Sequence, residues 1–119
     1  MKTDKELLEL AAKAAGKKFN AWSEKITDYD SVHYGQPALH YSSIGGQVHS
    51  WNPLTDDGDA LRLAVKLRIT VEWAAWSDDL EEVRADDSIE PIDPLINEEY
   101  AATRRAIVRA AAAMGEAMQ

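Results

Sequence analysis

Trp51-Asn52-Pro53-Leu54, then Thr55-Asp56-Asp57-Gly58-Asp59, then Ala60-Leu61-Arg62-Leu63-Ala64-Val65-Lys66-Leu67 leave the middle of this chain few choices. Pro53 cannot donate to a strand ladder, so an extended segment has to stop just before it. Thr55 or Asp56 offers an oxygen to the free N–H groups of a first helical turn, with Asp59 three residues after Asp56. Asp56, Asp57 and Asp59 also put negative charge at the positive end of the helix dipole. Ala60, Leu63, Ala64 and Leu67 then recur at i, i+3, i+4 and i+7, a stripe widened by Leu61 and Val65, while Arg62 and Lys66 share the opposite side. The block predicts a core helix with a basic solvent edge. The aspartates invite a calcium reading, but alternating oxygen ligands and a late bidentate glutamate are missing. They would also repel phosphate from this helix end.

The remaining chain has to be organised around that helix as one domain spanning 1–119, because 119 residues support a single core. There is no cysteine, which removes disulfides, thiolate metal sites and cysteine nucleophiles. No apolar run reaches the ~20 residues of a membrane span and no signal-peptide pattern opens the chain, so a cytoplasmic protein is expected. The net charge of −8 argues against direct DNA binding, which needs a basic surface. It suits a soluble protein, or one that meets a basic partner.

Upstream, Thr3-Asp4-Lys5-Glu6 has capping-box spacing, Leu7, Leu8, Ala11, Ala12, Ala14 and Ala15 follow at helical spacing, and Gly16 is a natural stop. Lys17 and Lys18 lie where positive charge suits the carbonyl end of the dipole. The alanine face suggests close packing on a sheet. Residues 19–34 read as a loop with some extended structure. Residues 38–44 and 47–51 read as a hairpin turned at Gly45-Gly46. That turn would pair Ile44 with Gln47, Ser42 with His49 and His40 with Trp51, giving one face of His40, Ser42, His49 and Trp51. Two histidines on one face raise the question of a metal. They do not fill a tetrahedral site, and His33 would have to arrive from the loop as a third ligand. No metal is predicted.

Downstream, residues 69–76 form the clearest strand, with residues 80–84 as hairpin partner and residues 89–92 as an edge segment around Pro91. Trp73 and Trp76 fall on different faces, which leaves one of them exposed. The closing helix starts at Asp93-Pro94 or at Asn97-Glu98-Glu99 and runs to about Met118, with Tyr100, Thr103, Ile107, Ala110, Ala111, Met114 and Met118 as its apolar stripe. Arg105 and Arg109 are like-charged neighbours one turn apart, so an acid of the fold, or a ligand's phosphate or carboxylate, is required to neutralise them.

Three blocks carry a family resemblance: residues 51–67, residues 102–111 and the opening residues 7–15. Together they resemble small uncharacterised proteins of tailed phages and prophages and, more distantly, the phage ABA sandwich domain. The resemblance covers somewhat under half of the chain, leaving out residues 19–50 and 77–99. It implies a small α/β sandwich and a phage origin, and carries no activity or site with it.

The expected fold is therefore α+β, about three helices on a four- to five-stranded, mostly antiparallel sheet. No Gly-rich phosphate loop, no nucleophile with an evident base and no catalytic carboxylate pair stands out, so no catalytic residue and no cofactor is predicted. The expectation is a phage accessory binding protein that counters host defence by sequestering a small nucleotide-derived signal, with subunits pairing around the pocket. Its candidate ligand-binding residues are Arg104, Arg105 and Arg109 for phosphate, Trp51 or Trp76 for base stacking, and His40 and His49 on the hairpin. The competing expectation is an acidic inhibitor that docks on the basic nucleic-acid-binding surface of a host protein.

Overall fold

The computed structural model describes residues 1–42, 48–75, 81–93 and 98–118. The Gly45-Gly46 turn, the Ile44–Gln47 pairing, Trp76, the residue 77–79 turn and Pro94 lie outside them. Two rounds of helix followed by three strands, closed by a third helix, make up the chain: α1 (Asp4–Ala14), β1 (Ala21–Ser23), β2 (Ala38–Ser42), β3 (Val48–Trp51), α2 (Asp57–Leu67), β4 (Val71–Ala74), β5 (Glu82–Ala85), β6 (Ser88–Pro91) and α3 (Glu99–Ala117). The class is α+β, as expected. The strands form two three-stranded antiparallel sheets, β1-β2-β3 and β4-β5-β6, in place of one sheet of four or five. The division falls at α2, whose Pro53 entry and left-handed Arg68 exit (φ 56°) carry the chain out of the first sheet before β4 begins.

Local chemistry explains the helix ends. Thr3 Oγ1 accepts the Glu6 N–H at 3.1 Å while Glu6 Oε1 accepts the Thr3 N–H at 3.2 Å, the reciprocal capping box. Asp56, not Thr55, caps α2, its carboxylate accepting the Asp59 N–H at 2.8 Å. α3 takes the later of its two possible starts, at Glu99.

α3 is the central element, packing on α1, α2, β5 and β6. Its Ala106, Ile107, Val108, Ala110, Ala111 and Ala112 are buried together with Leu8, Ala11, Leu63, Val83 and Ala85. Small residues let the helices approach closely: a Cβ at Gly115 would land on the Leu10 carbonyl of α1. The alanine face of α1 thus packs chiefly along α3, which corrects the expectation of a sheet partner. The α2 stripe is narrower than its pattern suggested, since Leu61 and Val65 stand 65% and 68% exposed.

The β2–β3 register corrects the sequence reading in a way that matters for the site. Leu39 pairs with Trp51, His40 with Ser50 and Tyr41 with His49, one residue away from the register of a two-residue turn. A one-residue slip exchanges the faces of one strand relative to the other. Trp51 and His49 therefore share the α1-facing side with Leu39 and Tyr41, and His40 sits with Ser50 on the reverse side. Among the described residues no helix is long and apolar enough to cross a membrane.

Candidate functional site

The site begins with the spacing of Lys5, Glu9 and Lys13, one turn apart on α1, so that all three project along one edge of the helix. Gly16 (φ +71°) ends the helix in the left-handed region and turns the chain, so Lys17, Lys18 and Phe19 run back beside that edge. β1 follows at once and pairs Trp22 with Leu39. A groove of about 670 Å³ lies between these elements, rimmed by Lys5, Lys13, Lys17 and Lys18 and backed by Phe19, Trp22 and Leu39. Glu9 is its one acidic lining residue among those described. Four of the chain's seven lysines thus meet at one concavity of a protein with net charge −8.

Dipole compensation explains Lys17 and Lys18 but not Lys5, which sits in the first turn of α1 where a cation is disfavoured. Among the described residues none of the four lysines is in an ion pair; Lys13 Nζ donates to the Met118 carbonyl at 3.0 Å. The groove floor is held by ring packing, Phe19 stacking on Trp51 at 5.5 Å and meeting Tyr41 at 5.8 Å. The Trp22 indole N–H donates to Glu24 at 2.8 Å, which fixes the ring's plane.

The arginines proposed for phosphate have partners within the chain. Arg104 donates to the Leu54 carbonyl at 2.8 Å and to Asp57 at 2.6 Å, Arg105 to Asp4 at 3.1 Å, and Arg109 to Glu90 at 2.6 Å. Each arginine has a different acid as partner, and the three do not converge on one concavity. Trp51 is 4% exposed, so its ring serves the core and is closed to a base. His49 is exposed and stacks on Tyr41 at 4.7 Å, and His40 Nε2 lies 2.7 Å from Ser23 Oγ on the opposite face of the sheet. The histidines do not act together, because the register separates them.

His33, Asp59 and Asn52 are the buried polar residues among those described; the sequence weighs His33 only as a third metal ligand and Asp59 only at the helix start, and does not bring them together. His33 Nε2 is 2.8 Å from Asp59 Oδ2, and His33 Nδ1 is 2.6 Å from Ser50 Oγ, which in turn is 2.9 Å from Ser31 Oγ. Asp59 also accepts the Asn52 N–H at 3.0 Å and Arg62 at 2.8 Å. Burial alone would raise the Asp59 carboxyl, but the hydrogen bonds from His33, Asn52 and Arg62 outweigh it and hold the group below its ordinary value. One signal was available: Asp59 precedes Leu63 by four residues and so belongs to the buried stripe of α2. His33, Asp56 and Asp59 offer three possible metal ligands within 4.8 Å of one another. Arg62 already spans the two carboxylates, at 2.8 Å from Asp59 and 3.9 Å from Asp56, and supplies the charge a cation would bring.

A second concavity of about 610 Å³ lies between α2, α3 and β4, walled by Ala60, Leu61, Ala64, Val71, Trp73 and Ile107. Trp73, 52% exposed, donates its indole N–H to Thr103 at 3.0 Å, and Tyr100 is 69% exposed at the rim.

No protein family, curated protein or solved structure matches this chain.

Proposed function

We propose that this chain is a binding protein for a small anionic ligand with a flat aromatic part, of the nucleotide class, held in the groove between α1 and β1. The observation that carries this reading is the convergence of Lys5, Lys13, Lys17 and Lys18, without ion pairs among the described residues, over a floor of Phe19 and Trp22. Lysines give phosphate oxygens mobile point charges, and aromatic rings give a base a stacking face worth ~1–3 kcal/mol. The groove's size is in the range of small-molecule sites. The phage resemblance supports a role in sequestering a nucleotide-derived signal against host defence.

The reading is tested by thermal shift against linear and cyclic nucleotides. A ligand at 100 times its Kd adds about 2.7 kcal/mol, which a domain of this size reports as a rise of several degrees or more. The rise is expected for at least one nucleotide and lost in Lys17→Glu/Lys18→Glu, with affinity down at least ~10-fold, about 1.4 kcal/mol. A flat panel, or a shift untouched by the double reversal, contradicts the proposal.

The inhibitor reading draws on a different observation, the exposed Leu61, Trp73 and Tyr100 beside Asp57 and Glu99. A basic partner docking there would lose binding in Trp73→Ser, while the nucleotide shift stayed intact.

A further inference from the structure

On the face of the first sheet turned away from α1, Ser50 is the end of a chain of contacts that begins in the core. Asp59 Oδ2 stands 2.8 Å from His33 Nε2, and His33 Nδ1 stands 2.6 Å from Ser50 Oγ. Asp59 is 6% exposed and His33 2%, whereas Ser50 is only partly buried. A second hydroxyl, Ser31, lies 2.9 Å behind Ser50 and accepts the His33 backbone N–H at 3.0 Å. His40, itself 2.7 Å from Ser23, is the cross-strand partner of Ser50. Pinning the loop before β2 to α2 requires only the His33–Asp59 contact. A hydroxyl placed on the other ring nitrogen, with a third group orienting the ring, is the arrangement that activates an oxygen nucleophile.

We infer that Ser50 is an activated hydroxyl that accepts the acyl group of a small ester, with His33 as its base and Asp59 as the residue that orients His33. In the resting state the neutral ring donates from Nε2 to Asp59 and accepts the Ser50 hydroxyl proton at Nδ1, while Ser31 donates to Ser50 Oγ. Ser50 Oγ attacks the ester carbonyl, forming the Oγ–C bond, and its proton moves to Nδ1. The imidazolium then carries a proton on both nitrogens and is held by the Asp59 carboxylate. Breaking the C–O bond releases the alkoxide, which takes the proton from Nδ1 and leaves as an alcohol. Water attacks the acyl-serine, giving its proton to Nδ1; Ser50 Oγ leaves and regains a proton, so that ester and water have become acid and alcohol. This chemistry lies on the face opposite the lysine groove and stands or falls separately from it.

A small fluorophosphonate provides the test, read by intact mass and peptide mapping at pH 8. One adduct on Ser50 is expected, absent in Ser50→Ala and at least ~10-fold slower in Asp59→Asn with an unchanged circular dichroism spectrum. No adduct on the folded wild type, or an adduct that survives in Ser50→Ala, overturns the inference. Should Asp59→Asn not fold, the cysteine-free chain allows a second test with a unique thiol. Ser50→Cys is expected to react with iodoacetamide at least ~10-fold faster than Ser88→Cys, a similarly exposed strand position with no histidine against it among the described residues, because His33 would draw off the thiol proton; equal rates overturn the inference.

Discussion

Asp59→Ala is expected to destabilise the protein by about 3–5 kcal/mol, the cost of removing one partner from a buried charged cluster. The substitution leaves His33 Nε2 and the Asn52 N–H facing an empty site in the interior and releases Arg62. Against a total stability of ~5–15 kcal/mol this is a large share, readable as a lowered urea midpoint. Asp57→Ala is the comparison: its carboxylate is 70% exposed, and loss of its pair with Arg104 should cost less than ~1 kcal/mol. The same residue sets a pH dependence. Because the folded Asp59 carboxyl lies below its ordinary value, its contribution is complete above about pH 4 and is lost as pH falls through the folded value. The gap between wild type and Asp59→Ala should therefore narrow below about pH 4. A gap independent of pH from 7 to 3 would show that Asp59 does not act through its charge.

Gly115→Ala is the second large effect, and its sign separates two accounts of α3. Helix propensity alone predicts that alanine stabilises an interior helical position by ~1 kcal/mol over glycine. In this fold the new Cβ would meet the Leu10 backbone, which cannot swing aside as a side chain could. Helices α1 and α3 would have to separate along an interface built of alanines, at a cost of ~1–3 kcal/mol or more that exceeds the propensity gain. A lower thermal midpoint is expected. Ala113→Gly, at an exposed position on the same helix, should lose only about 1 kcal/mol. A midpoint raised by Gly115→Ala would mean that α1 does not approach α3 this closely.

Legibility in the sequence followed the range of the interactions. The Thr3–Glu6 box, a cap at Thr55 or Asp56, the Ala60-Leu63-Ala64 core of the α2 stripe and the three strands after α2 are written in residues a few positions apart, and each was readable. The β2–β3 pairing was readable as a hairpin, but its register depended on the assumed Gly45-Gly46 turn, and one residue of slip moved His49 and Trp51 to the other face. Two sheets in place of one is a tertiary outcome that no local period encodes. The partners of Arg104, Arg105 and Arg109 lie 47, 101 and 19 residues away, so their need for an acid was visible and its source was not. His33 lies in a segment with no periodicity, and only the buried phase of Asp59 pointed to a polar partner. The lysine groove was hidden for a related reason: Lys17 and Lys18 had a sufficient local explanation at the end of α1, and their convergence with Lys5 appears only once β1 folds back beside the helix.

An anionic aromatic ligand bound between α1 and β1 would be located directly by amide chemical shifts. Titrating the 15N-labelled chain with the nucleotide that gives the largest thermal shift should move the amides of residues 12–22 and Leu39, together with the Trp22 indole N–H. The amides of Arg104, Arg105 and Arg109 should stay in place. Perturbations centred on α3 and the Trp73 indole N–H, or no perturbation at millimolar nucleotide, would contradict it.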